Sequence, residues 1–156
     1  MRVMTVFLLG ALTIGVLVAN AVAAPAQKLT LTMTEFQFAP KTPSVKPGTA
    51  VELTLVNKGT VEHEFMLYPL PGSMSMSMDM DKYGAENTYF KDIGTVELVY
   101  PGLTATRKSS RLERVGLNPR QSITIKFVAK KTGTFEFACH VPGHYEAGMK
   151  GTLTVK

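Results

Sequence analysis

Short runs in which apolar and polar residues alternate dominate this chain, and a period of two commits such runs to half-buried β-strands. Leu29, Leu31 and Met33 alternate with Thr30, Thr32 and Thr34, and Val51, Leu53 and Leu55 alternate with Glu52 and Thr54. Ile123, Ile125 and Phe127 follow the same rule, as do Leu153 and Val155 near the end. Val61, His63, Phe65 and Leu67 share one parity, and Phe135, Phe137 and Cys139 share another. Pro47-Gly48, Asn57-Lys58-Gly59, Asn118-Pro119 and Lys131-Thr132-Gly133 supply turn chemistry between the runs. Short strands punctuated in this way predict an all-β sandwich. Beyond the N-terminal stretch no long helical period is present, apart from turns in the middle. That middle, about residues 69–116, is less regular and reads as a long insertion between two core strands. It contains one expected strand, Val96 to Tyr100, and ends in a basic run with Arg107, Lys108, Arg111 and Arg114. The run reads as a solvated face, with partner docking as the sharper alternative.

Residues 1–23 differ in kind. Arg2 precedes an apolar run to about Ala19, and Ala21-Val22-Ala23 fits a small-x-small cleavage site. This is the pattern of a secretory signal peptide, with an uncleaved anchor as the alternative. Residues 24–156 are then expected to form a single exported domain, periplasmic or otherwise extracytoplasmic, with membrane contact only if the N-terminal segment is retained. At 45% hydrophobic and 19% charged residues the chain has the balance of a globular domain, not of a disordered one. A net charge of +5 is mild, and we expect neither a nucleic-acid partner nor a small-molecule substrate.

The chain has one cysteine, so no internal disulfide can form. An exposed lone thiol would oxidise outside the cytoplasm. Occupation by a metal removes that liability. The segment around Cys139 supports the idea, because Cys139, His144 and Met149 follow one another with four residues between each pair. One short loop thus offers a thiolate, an imidazole and a thioether. Upstream, His63 has the parity of Phe65 and Leu67, so its side chain is expected to point into the sandwich. Thiolate and thioether suit Cu(I), imidazole suits Cu(II), and two His, one Cys and a weak Met form the donor set of blue-copper electron-transfer sites. Zinc seldom takes a thioether.

In these residues the chain resembles the cupredoxin (blue copper protein) family. The likeness extends over nearly all of residues 24–156: paired early strands, a histidine after an Asn-x-Gly turn, and a Cys-His-Met loop leading into the last strand. The loop spacing is most similar to that of auracyanins and rusticyanins. The resemblance implies a Greek-key sandwich holding one copper ion per chain, with His63, Cys139 and His144 as equatorial ligands and Met149 as the axial one. It also implies tuning of the Cys139 sulfur by the backbone N–H groups of Glu64 and Val141. Many relatives carry Asn after the upstream histidine, where its side chain ties the ligand loops together. Glu64 stands there in this chain, a departure from that pattern. His140 is expected to face away from the metal, because strand alternation turns it to the other side.

Three functions follow as expectations. The leading one is a one-electron carrier between redox protein partners. The second is a copper carrier or buffer in which Met74, Met76, Met78 and Met80 capture Cu(I); as the bland alternative these four form a flexible loop or an apolar flap. The third, an enzyme, is disfavoured, since copper oxidases need further centres built largely from histidine and this chain has three in all.

Overall fold

The computed structural model describes residues 24–73, 77–103 and 106–156. The expected signal peptide, and Met74 and Met76 of the methionine run, lie outside these residues. The strands are β1 (Gln27–Thr34), β2 (Gln37–Ala39), β3 (Ser44–Val45), β4 (Ala50–Asn57) and β5 (His63–Pro69), followed by a helix, α1 (Met80–Glu86). After it come β6 (Val96–Val99), β7 (Thr106–Ser109), β8 (Val115–Leu117), β9 (Ser122–Val128), β10 (Gly133–Ala138) and β11 (Lys150–Val155). They form two sheets, one in the order β2-β1-β4-β9-β6-β7 and one in the order β3-β11-β10-β5-β8. Neither order follows the chain, as the expected Greek-key connectivity requires. The two sheets make the sandwich predicted from the alternation.

The register explains which side chains meet. β1 runs parallel to β4 with Leu31 opposite Leu55, and β4 runs antiparallel to β9 with Leu53 opposite Ile125. Their apolar parity therefore faces one way and is buried, apart from the half-buried Leu29 near the start of β1. From the other sheet Phe65, Leu67, Phe137 and Leu153 close the same core. Phe38 meets Phe137 edge-on at 5.1 Å between ring centroids, and Phe65 stacks on Phe137 at 6.0 Å. Each such ring contributes roughly 1.5–3 kcal/mol by leaving water.

The described residues between 69 and 116 carry more regular structure than the sequence suggested. They hold α1 and three strands, and they add β6 to one sheet and β8 to the other. They also deliver Tyr89 and Phe90 to the core, where Tyr89 packs on Phe135 at 4.6 Å and Phe90 on Phe127 at 5.3 Å. Asp79 caps α1, its carboxylate accepting from the Lys82 N–H. The helix lies against the outer face of β5 and β10, so Met66, Tyr68 and Ala138 are buried there in a second apolar cluster with Met80. Gly84 permits the close approach: a Cβ at that position would lie 2.6 Å from a Tyr68 ring carbon.

Candidate metal centre

His63 opens β5, where it pairs with Leu117 of β8. Val61, expected on the same strand, is instead 42% exposed. The reason is Asn57, whose buried side chain bends the preceding turn. Its Nδ2 donates to the Val61 and Leu117 carbonyls at 2.8 Å each, and its Oδ1 accepts from the Gly59 N–H at 2.8 Å. Gly59 lies directly under the imidazole. A Cβ there would lie 2.7 Å from His63 Nε2 and 2.7 Å from Glu35 Oε1, so only glycine fits. Glu35, in the β1–β2 turn, accepts from the backbone N–H of Thr60 and, at 2.9 Å, from its hydroxyl. Those donors pull its carboxyl down to about 2.

The other donors come from the loop between β10 and β11, which is closed by its own backbone. Cys139 N–H donates to the Met149 carbonyl at 3.1 Å, and Met149 N–H donates back to the His144 carbonyl at 3.0 Å. Val141-Pro142-Gly143-His144 forms a tight turn with His144 N–H on the Val141 carbonyl at 2.9 Å and Gly143 at φ 83°. Proline then glycine with positive φ is what a type II turn demands. The sequence of the loop thus specifies the hook that presents Cys139, His144 and Met149.

The structure brings His63, Cys139 and His144 together, with one donor atom from each within 4.8 Å of the others. His63 Nδ1 lies 3.3 Å from His144 Nδ1, which lies 3.4 Å from Cys139 Sγ. Met149 is buried in the adjoining core and tied to both Cys139 and His144 through its backbone. His63, Cys139 and Met149 are 0% exposed, and His144 is 7% exposed with Phe36 edge-on to its ring at 4.8 Å.

Electrostatics fit a cation between these groups. Burial and the neighbouring His144 push His63 below its ordinary value, against a smaller upward pull from Glu35. Burial pushes the Cys139 thiol up, while N–H groups of Glu64 and Val141 pull it down. The Glu64 N–H lies 3.2 Å from the sulfur, as expected. The two imidazole nitrogens and the sulfur lie at hydrogen-bond distances, where a soft or borderline cation can replace the shared protons and bond to all three. The donor set therefore suits copper.

Glu64 does not replace the missing asparagine tie; its carboxylate pairs with Arg114 at 3.3 Å. Asn57 instead joins the turn before His63 to β8. The roles of Asn57, Gly59 and Glu35 were invisible beyond a turn signal, because the contacts that tie the turn to the fold, Asn57 to Leu117 and Glu35 to Thr60, are distant in sequence. His140 faces away from the sulfur, as alternation requires, and Nε2 lies 2.9 Å from the Tyr68 hydroxyl. Of the methionine run, Met80 is buried beside Tyr68 and Met78 packs half-buried against the same cluster. Both lie on the opposite side of β10 from Cys139.

Residues 25–156 match the family of copper binding proteins typified by plastocyanin and azurin. The copper-resistant cuproprotein CopI of Rubrivivax gelatinosus is 31% identical over 120 residues, covering 77% of this chain and 60% of that protein. CopI of Pseudomonas aeruginosa is 27% identical over 146 residues, covering 86% of this chain and 78% of that one. This chain therefore spans less than two thirds of the Rubrivivax relative. The structure of reduced auracyanin from Roseiflexus castenholzii superposes with a TM-score of 0.55 over 85% of this chain and 99% of that one, at 23% identity, a likeness of fold. Sandwich, buried His-Cys-His cluster and sequence match agree: the chain belongs to the plastocyanin/azurin (cupredoxin) family of copper-binding proteins.

Proposed function

We propose that this protein is an exported one-electron carrier holding a single copper ion through His63, Cys139, His144 and Met149. The observation that carries the reading is the buried convergence of one donor atom from each of His63, Cys139 and His144 within 4.8 Å. Copper bound there supplies a one-electron couple between Cu(I) and Cu(II). The chain supplies the rest. Thiolate and thioether favour the reduced ion and imidazole the oxidised one, so the same donors serve both. The closed hook and the Asn57 turn hold the donors in place, which keeps rearrangement between the two states small. Burial of three of the four side chains excludes water. His144 alone among the four retains accessible surface, so its edge beside Phe36 is the exit toward a docked redox protein.

A second reading, copper delivery or buffering, is favoured by the name of the CopI relatives, copper-resistant cuproproteins. Catalysis by this chain alone is not expected, because only His140 remains once His63 and His144 are assigned, too few for a further multinuclear centre. Voltammetry of the copper-loaded protein separates the readings. A reversible one-electron wave, with electron exchange to a small haem protein on mixing, supports the carrier. Tight copper binding without reversible exchange removes it and leaves buffering.

A further inference from the structure

On the outer side of β10 a cavity of about 280 Å³ is lined by Met78, Met80, Asp81, His140 and Tyr145. Strand alternation separates it from the first centre: Cys139 points to the core and His140, one residue on, to this cavity. We propose that the cavity is a second, soft-metal site that takes one Cu(I) through the His140 imidazole and the thioethers of Met78 and Met80.

A hydrogen-bonded network fixes the imidazole. Tyr68 donates its hydroxyl to Glu136 Oε1 at 3.0 Å, and Tyr145 donates to the same oxygen at 3.0 Å. The Tyr68 proton is thereby committed to a carboxylate that is 7% exposed, so the Tyr68 oxygen accepts from His140 Nε2–H at 2.9 Å. That assignment leaves the lone pair on Nδ1. The Tyr145 ring stacks on the imidazole at 4.8 Å and 15°, which holds its plane. An imidazole whose far nitrogen is hydrogen-bonded and whose ring is clamped is the arrangement found behind metal-ligating histidines. Two thioethers beside it select a soft monovalent ion over zinc or calcium. Of the carboxylates lining the cavity, Asp79 caps α1 and Asp81 pairs with Arg114 at 3.0 Å, while Glu146 is exposed to solvent. Met80 also packs against Tyr68, but a core role alone does not account for a thioether pair and an imidazole lining one open cavity.

This inference borrows from the proposed function only the identity of the metal, and the two fail separately. The full chain is loaded with copper at the first centre and reduced, so that the protein is diamagnetic. Ag(I), a redox-inert stand-in for Cu(I), is then titrated while methionine methyl signals are followed by NMR. The expected result is one further equivalent bound per chain, with shifts confined to Met78 and Met80. The double variant Met78→Leu/Met80→Leu, and separately His140→Gln, should each weaken that equivalent at least tenfold. The visible band of the Cu(II)-loaded protein should stay unchanged in the methionine variant. Saturation without an extra equivalent overturns the proposal. So does an extra equivalent that survives both variants, or one that Met74→Leu/Met76→Leu removes instead. Loss of the visible band in the unmutated protein contradicts the first centre and leaves this test standing.

Discussion

Replacing Asn57 by alanine should cost far more than a turn residue ordinarily does. Asn57 is 0% exposed and its side chain makes three hydrogen bonds of 2.8 Å, two donated by Nδ2 and one accepted by Oδ1. Truncation leaves the Leu117 carbonyl and the Gly59 N–H without partners in buried surroundings, at roughly 1–3 kcal/mol each. The Val61 carbonyl is partly exposed and recovers a water. Adding a small cavity, the expected loss is about 3–5 kcal/mol, a large share of the 5–15 kcal/mol typical of a domain. Urea unfolding of the metal-free protein, followed by circular dichroism because the chain has no tryptophan, measures it directly. Asn118→Ala in an exposed turn is the control and should stay within ~0.5–1 kcal/mol. Asn57→Asp sharpens the test, for a carboxylate retains the acceptor but turns an oxygen toward two carbonyls. It should be at least as destabilising at neutral pH and should improve as acid protonates it. A cost below ~1 kcal/mol for Asn57→Ala would mean that this side chain does not tie the His63 turn to β8.

Three further outcomes are expected. Gly84→Ala should gain up to ~1 kcal/mol in helix propensity and lose about 1–3 kcal/mol to the 2.6 Å approach to Tyr68, so the melting temperature should fall; a rise means α1 sits farther from β5 than described. Glu35 has its pKa lowered from 4.5 to about 2, so its contribution to stability is present above 4.5 and lost as pH falls toward 2. Wild type should therefore lose stability over that window relative to Glu35→Gln, and the difference between the two should close by about pH 2 when urea midpoints are compared. Met149→Leu should keep one bound copper and its visible band while raising the reduction potential, because a weak donor that helps the oxidised ion is gone; an unchanged potential removes Met149 from the ligand set.

Strand parity was legible wherever one face of a strand meets the core, as in β1, β4 and β9. It failed on β5, where the run Phe65 to Tyr68 is buried on both faces because α1 covers the outer one. That helix escaped notice because it has seven residues with Gly84 inside, too few for a 3.6-residue period to register. The loop that carries Cys139, His144 and Met149 was readable as a unit because its own turn residues close it. His63 was readable from parity, since a polar residue on an apolar face needs a reason to be there. Glu35, Gly59 and Asn57 were not, because what they do depends on chain segments brought together by tertiary pairing, β1 with β4 for Glu35 and Gly59, and β5 with β8 for Asn57. The same holds for the Tyr68–Glu136–Tyr145–His140 network, whose members the sequence scatters over two strands and a loop.

Four side chains of one chain are proposed to hold a single copper ion, one of them as a thiolate. Titration of the metal-free protein with Cu(II), followed by visible absorption and EPR, tests that assignment most directly. One equivalent should bind, with an intense thiolate-to-copper charge-transfer band and narrow copper hyperfine splitting, band and splitting both being lost in Cys139→Ser. A weak band of an ordinary tetragonal Cu(II) complex, or an intense band that survives Cys139→Ser, would contradict it.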